Sequence, residues 1–566
     1  MDRDERYSIT SEDYVDLIID YKYNPRFLEE FQDTIIHKIN DTFAILHIPL
    51  TSNPERIVRE YGYMILPKVY GLTSEISLEA SRVGTLRNLP AFNLTGRGVL
   101  IGFIDTGIDY LHPAFRNAEG LTKIAYIWDQ TIDSEDAYPF DTYYGTEYSA
   151  EQINQALLSE NPLDIVPSTD DIGHGTMMAG VAVGSDNLEV NFEGVALDSE
   201  LVIVKLKQAK QNLRDFFLIP ENVIAYQDSD IMWGVQYCEQ VARRLERPIV
   251  ICLGIGTSQT SHSGRSNLSK MLTRIGGYAG VGIVIGAGNE GNLGRHFYNT
   301  IKPEVGTLAE LYVGRNDKNF SMEIWGDAPN LYYIDILSPA GEYIQGNALV
   351  VRESREITFI FEQTVISMDI QIANTAAGNQ LILLRFRNAT TGIWRFTIYS
   401  KGDVSPGAHI WLPMGDFIST DTYFISPDIY TTVLSPGTAY TPITVTAYNP
   451  FNESLYANAS RGYTNNNIIK PELAAPGVNY IAPTLNGGFT THDGTSVAAA
   501  HTAGIVALFF EWAIVRKNDV RADTTAVKNY LIRGAKRKEN LIYPNRDWGY
   551  GIIDIYNVFN ILRGRF

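Results

Sequence analysis

The stretch HDGTSVAAAHTAG, residues 492–504, decides the reading of this chain. Thr495 and Ser496 follow a glycine and open a run of Val and Ala. Such small side chains predict a tightly packed, buried helix. A serine at the start of that helix is held rigidly at the positive end of the helix dipole. The placement suits a nucleophile whose reaction develops negative charge. Alone, the same letters would also spell a plain core helix, so the reading turns on what else the sequence carries.

Two further stretches supply it. VLIGFIDTGIDYLHPAF (99–115) begins with an apolar run typical of a buried parallel strand and places Asp105 at its C-terminal tip. In open α/β sheets that edge is where ligands bind. DDIGHGTMMAGVAVG (170–184) sets His174 between Gly173 and Gly175 at the mouth of a small-residue helix. A histidine between glycines is poorly suited to core packing and well suited to close approach by other groups.

The chain order Asp105, His174, Ser496 is that of subtilisin, distinct from chymotrypsin and the α/β-hydrolases. The three motifs resemble D-[ST]-G, H-G-T and G-T-S-x-A of the subtilisin-like (S8) serine proteases. VGIVIGAGNEGN (281–292) resembles the oxyanion strand of that family. The resemblance implies Asn289 as oxyanion donor and Gly286, Ala287 and Gly288 as substrate-lining residues. PIVICLGIGTSQ (248–259) resembles the edge strand on which extended substrate pairs, through Gly254, Ile255 and Gly256. Gly254 departs from the family's usual serine, and Ala500 stands where a proline is usual. The implied chemistry is peptide hydrolysis through an acyl-enzyme. Ser496 attacks, His174 relays the proton and Asp105 orients the imidazole. The implied fold is α/β, a parallel sheet with helices on both faces. The implied partner is a polypeptide substrate, with no cofactor and no metal.

At 566 residues the chain predicts two or three domains. Its net charge of -19 argues against nucleic acid and anionic membranes as partners. Cys238 and Cys252 are the only cysteines, too few for a disulfide framework. The opening MDRDERYSITSEDYVDLIIDY has neither a basic n-region nor an apolar core. No secretory signal is therefore expected, and a cytoplasmic or spore-associated location is. No uninterrupted apolar run reaches ~18 residues, so no membrane helix is expected.

Residues 1–72 read as a small α+β prodomain: a helical opening (Ser11–Tyr21), a strand (Thr42–Pro49), a helix in PERIVREYGY (54–63) and a strand in YMILPKVYGL (63–72). In subtilases such a segment lies in the cleft and is cut away, here after Leu72 or Thr73. A permanent structural domain is the alternative. Residues 73–302 and 437–566 read as the two parts of the catalytic domain. Between them, 303–436 is rich in alternating strands separated by turns, the last of them DFISTDTYFIS (416–426), and reads as an inserted β-sandwich of jelly-roll type.

This layout resembles the clostridial Csp-type subtilases, which take part in spore germination. That resemblance implies the zymogen of a spore-cortex hydrolase as substrate and a prodomain that stays bound. A catalytically silent signalling or binding protein and a general intracellular processing protease remain the alternatives. Of the other polar residues, His112 reads as shaping a loop. Asp170 and Asp171 read either as lining the site or as a solvated turn. His492 and His501 lack metal-ligand spacing.

Overall fold

A computed structural model of the chain describes residues 3–31, 34–50, 61–72, 93–134, 136–139, 141–302, 305–346, 353–372, 378–402, 404 and 407–562. The apolar run before Asp105 forms a strand, Leu100–Asp105, buried at every residue. It lies inside a nine-stranded sheet. Across the sheet the order is Ser454–Leu455, Ile443–Asn449, Val281–Gly286, Ile249–Leu253, Leu100–Asp105, Glu200–Lys205, Ile124–Asp129 and Thr146–Ser149, with Leu473–Pro476 also paired to Ile443–Asn449. Pairing is parallel except for the short strands Thr146–Ser149 and Ser454–Leu455.

A parallel sheet needs both faces covered, and alternate residues of Leu100–Asp105 serve the two faces. Ile101 and Phe103 pack with the helices His174–Val183 and Thr495–Phe510. Leu100 and Ile104 pack with Asp228–Arg244 and Asn267–Ile275. All residues of Thr495–Phe510 are buried, as the Val/Ala run predicts, and the helix runs unbroken through Ala500. Extended to Val515, it is long and apolar enough to cross a membrane, with a mean hydropathy of 1.6 over its most apolar 18 residues, yet 89% of that window is buried inside the protein. Its apolarity serves the core.

The N-terminal segment corrects one expectation. Ser11–Tyr21 is not helical: a helix covers Arg3–Thr10, and Tyr14–Asp20 is a strand. That strand joins Phe43–Pro49 and Ile35–Lys38 in an antiparallel sheet. Val15, Leu17 and Ile19 face one apolar cluster, while Ile18 faces another. A short run buried on both sides has no period that separates strand from helix. Of the helix expected over 54–63, residues 54–60 lie outside the described residues. The strand expected over 63–72 is confined to Val69–Leu72, after a 3₁₀ turn at Tyr63–Ile65.

The strand-rich insert forms two antiparallel sheets. One contains His296–Thr300, Gly407–Trp411, Phe320–Gly326, Gln380–Arg387, Val365–Ile372 and Glu353–Thr358 in that order. The other contains Tyr343–Ile344, Leu331–Leu337, Gly392–Lys401, Thr307–Val313 and Tyr423–Phe424. Leu311, Ile324, Ile336, Leu384, Trp394 and Phe396 belong to one shared core. The first strand starts ahead of the expected boundary at 303. The long strand expected near 416–426 is a 3₁₀ turn, Gly415–Phe417, and a two-residue strand. Thr307–Val313 alternates buried and more exposed residues, whereas Phe320–Gly326 is buried throughout. The reason is a second packing face. Trp325, Leu383 and Trp411 join Leu17 and Leu46 of the N-terminal sheet and Phe216 and Phe217 of the catalytic fold in one cluster.

Candidate active site

Asp105, His174 and Ser496 come together from three elements of the parallel fold. Asp105 ends its strand, and His174 is the first residue of its helix. Ser496 is the second residue of its helix, after Gly494 at φ 145°. His174 Nδ1 lies 2.7 Å from Asp105 Oδ1, and His174 Nε2 lies 3.3 Å from Ser496 Oγ. All three are buried. Close approach depends on Gly175, where a Cβ would sit 2.2 Å from Gly107 O. A side chain there would push apart the segments that carry Asp105 and His174.

Two residues that the sequence motifs did not single out fix this geometry. Asp170, only weighed as lining or turn, is buried. Its Oδ1 accepts from the N–H groups of Ile172 (3.1 Å) and Gly173 (2.8 Å). Its Oδ2 accepts from Thr176 N (2.9 Å) and Thr176 Oγ1 (2.7 Å). One carboxylate thus ties the turn to the first helical turn and satisfies a donor that the helix leaves open. Thr495 does the same for the segment Gly288–Asn289 that follows the strand Val281–Gly286. Its Oγ1 accepts from Gly288 N (2.9 Å) and lies 3.2 Å from Asn289 Oδ1, which also accepts from Thr495 N (3.3 Å). With Oδ1 so engaged, the donor end of the Asn289 amide is turned away from Thr495.

Ile255–Gly256 is a short edge strand, and its partner is Val69–Leu72 of the N-terminal segment. The pairing is antiparallel, with Ile255 opposite Leu72 and Gly256 opposite Gly71. On its other side Val69–Leu72 pairs with Tyr226–Gln227, an edge that the sequence reading missed. The N-terminal segment is therefore the middle strand of three, as an extended peptide would be. Gly254 lies beside the imidazole: a Cβ there would be 2.3 Å from Met178 Sδ and 2.9 Å from His174 Cε1. Met178 takes the room that a serine would need. Gly286, Ala287 and Gly288 form a wall whose backbone is engaged within the protein. Ala287 N donates to Val445 O, Leu434 N to Ala287 O and Ser460 N to Gly288 O.

The segment entering the cleft is anchored by buried polar groups from all three parts of the chain. Lys68 N donates to Asp228 Oδ1 (3.0 Å) and Lys68 Nζ to Tyr63 O (2.9 Å). The Tyr63 hydroxyl and Trp325 Nε1 both donate to Glu323. Burial pushes the Asp228 and Glu323 carboxyls up and the Lys68 ammonium down. His112 shapes its loop as the sequence implies: Nδ1 accepts from Ala114 N, and Nε2 reaches Gly488 O. Asp171 is exposed and lies 3.4 Å from Lys205. Burial, helped by nearby His174, pushes His492 down, and His501 lies 3.4 Å from the Tyr480 hydroxyl. Among the described residues no cluster of His, Cys, Asp and Glu is placed to hold a metal ion.

Comparison with known proteins agrees with this geometry. The profile of the Subtilase family matches residues 96–320 and 359–551. The CspB protease of Clostridium perfringens superposes with a TM-score of 0.76 at 31% identity, covering 86% of this chain and 97% of that one. The subtilisin-like protease SBT3.5 of Arabidopsis thaliana is 24% identical over 73% of this chain, and SBT3.15 is 23% identical over 83%. The chain spans only 56% and 60% of the lengths of those two plant relatives. With the family profile matching most of its length and its three motifs converging in space, the chain belongs to the subtilase family.

Proposed function

We propose that the chain is a serine endopeptidase. The observation that carries this reading is the line from Asp105 through His174 to Ser496 beside a cleft strand already occupied by residues 69–72. Ser496 Oγ attacks the scissile carbonyl while His174 Nε2 takes its proton. His174 then returns that proton to the leaving amine. Asp105 accepts from Nδ1–H, holds the tautomer and stabilises the imidazolium. The oxyanion draws on Ser496 N–H at the helix N-terminus and on Asn289 Nδ2. The acyl-enzyme is then released by water.

Residues 1–72 act, in this reading, as a prodomain that the chain cuts from itself after Leu72 or Thr73, with 303–436 as the jelly-roll insert and 73–302 and 437–566 as the catalytic domain. Thr73 lies outside the described residues. Retention of the prodomain after cutting is supported by its shared core with both other parts. A spore-associated role, with a cortex-hydrolase zymogen as substrate, follows from the resemblance to Csp-type subtilases; the likeness to the Clostridium perfringens CspB protease along 97% of that chain supports a protease of that build. Mass spectrometry of the purified protein tests the self-cleavage. Wild type should yield two co-purifying fragments and Ser496→Ala one intact chain. An intact wild type that hydrolyses peptides would make residues 1–72 a permanent domain.

A further inference from the structure

One side chain closes the slot beside the cleft strand. A Cβ built on Gly256 would lie 2.9 Å from Leu434 Cδ1. One built on Gly288 would lie 2.7 Å from the same methyl and 2.6 Å from Leu434 Cγ. The end of this leucine therefore sits between the edge strand and the oxyanion wall, at the two glycines that could otherwise flank a substrate side chain. Gly256 is two residues from Gly254, which lies against His174, and Gly288 adjoins Asn289. The slot is thus the space next to the scissile bond.

Leu434 is fixed there. It is 1% exposed, and its N–H donates to Ala287 O (2.9 Å). The next residue, Ser435, exchanges two backbone hydrogen bonds with Thr257 (2.8 and 3.0 Å). Both walls therefore hold the backbone that carries the leucine. The void beside Leu434, also lined by Ser258, Glu290, Trp411 and Thr432, has a volume of about 10 Å³. That is about the space of a single water, so the side chain has nowhere to withdraw. Glu290, the acid bordering this void, is paired with Arg295 (2.9 Å) and accepts from Gly415 N (3.1 Å). Its charge is therefore already matched from within the protein, and a basic substrate side chain gains little there.

We infer that Leu434 sets the specificity of the site by filling the pocket for the substrate residue on the acyl side of the scissile bond, so that this residue is small: glycine, alanine, serine or threonine. The inference rests on the protease reading above. It also separates the two candidate self-cleavage bonds. Leu72 is too large for the filled slot, whereas Thr73 fits. The pairing agrees, since Leu72 is already opposite Ile255, one residue short of Gly254 and the imidazole.

The test is kcat/KM of the full chain on peptides that differ only at that residue, bearing Ala, Thr, Phe or Arg. Wild type should favour Ala and Thr over Phe and Arg by about a hundredfold. Leu434→Gly should raise the Phe-to-Ala ratio at least about tenfold, and Leu434→Ala should raise it less. Each ratio is internal to one protein, so partial loss of folded material cancels. A wild type that prefers Phe, or a ratio unmoved in both variants, would overturn the inference and leave the protease reading standing. Absence of any hydrolysis that depends on Ser496 would overturn both.

Discussion

Asp170→Ala tests whether the carboxylate beside the His174 turn positions the catalytic base. The structure gives that carboxylate four donors. Ile172 is 40% exposed, so its N–H can turn to water after the substitution. Thr176 is fully buried, and its N–H and hydroxyl would lose this acceptor together. Each buried donor left without a partner costs about 1–3 kcal/mol. Together the two predict a loss of about 2–6 kcal/mol concentrated in the first turn of the helix. His174 begins that turn, and a base misplaced by about 1 Å costs on the order of a hundredfold in rate. Two measurements read this: hydrogen exchange of the segment 172–178, and the rate of covalent modification of Ser496 by a fluorophosphonate. Exchange should accelerate and modification should slow by about a hundredfold, with Asp170→Asn between the two. Wild-type exchange and wild-type modification in Asp170→Ala would show that this carboxylate does not hold His174 in place.

Gly254→Ser restores the family's usual residue but drives a Cβ into Met178 and against His174. It should slow modification about tenfold, with partial recovery when Met178→Ala is added; no slowing would show that the site repacks freely. Asn289→Ala should keep labelling yet lower turnover by on the order of 3 kcal/mol, a value known from subtilisin itself, and an unchanged kcat would remove Asn289 from the oxyanion hole. Acid should weaken the docking of the insert. His262 and His296 stack on Trp411, and burial pushes each down to about 3. Both stay neutral when folded, while the unfolded chain takes up protons below about 6.5. Stability is therefore full above that pH and falls toward pH 3, by up to about 1.4 kcal/mol per pH unit for each histidine. Thermal unfolding from pH 7.5 to 4.5 checks this, and a flat profile would contradict it.

The convergence of Asp105, His174 and Ser496 is foreshadowed in the sequence because each residue's context is local. Asp105 at a strand tip, His174 between glycines and Ser496 at a helix start each carry their context within a few residues. Gly175 is informative for the same reason, since the motif's small residue answers a contact with Gly107. Leu434 and Met178 gave no such signal. Their roles arise from neighbours far away in the chain, and an apolar letter in a loop or helix does not announce what it fills. Asp170 was visible only as an acid three residues before Gly173. The insert's strands were readable where one face is more exposed, as in Thr307–Val313. Boundaries failed where both faces are covered or the strand is very short, as at Tyr14–Asp20 and Tyr423–Phe424.

The proposed mechanism requires Ser496 to be an activated nucleophile. Covalent labelling of the purified chain by a fluorophosphonate probe, followed by mapping of the modified peptide, tests it most directly. The geometry of Ser496 with His174 and Asp105 predicts a single adduct on Ser496, absent in Ser496→Ala and greatly slowed in His174→Ala. A wild-type chain that stays folded and takes up no probe, or that carries the adduct on another residue, would show that Ser496 is not the nucleophile.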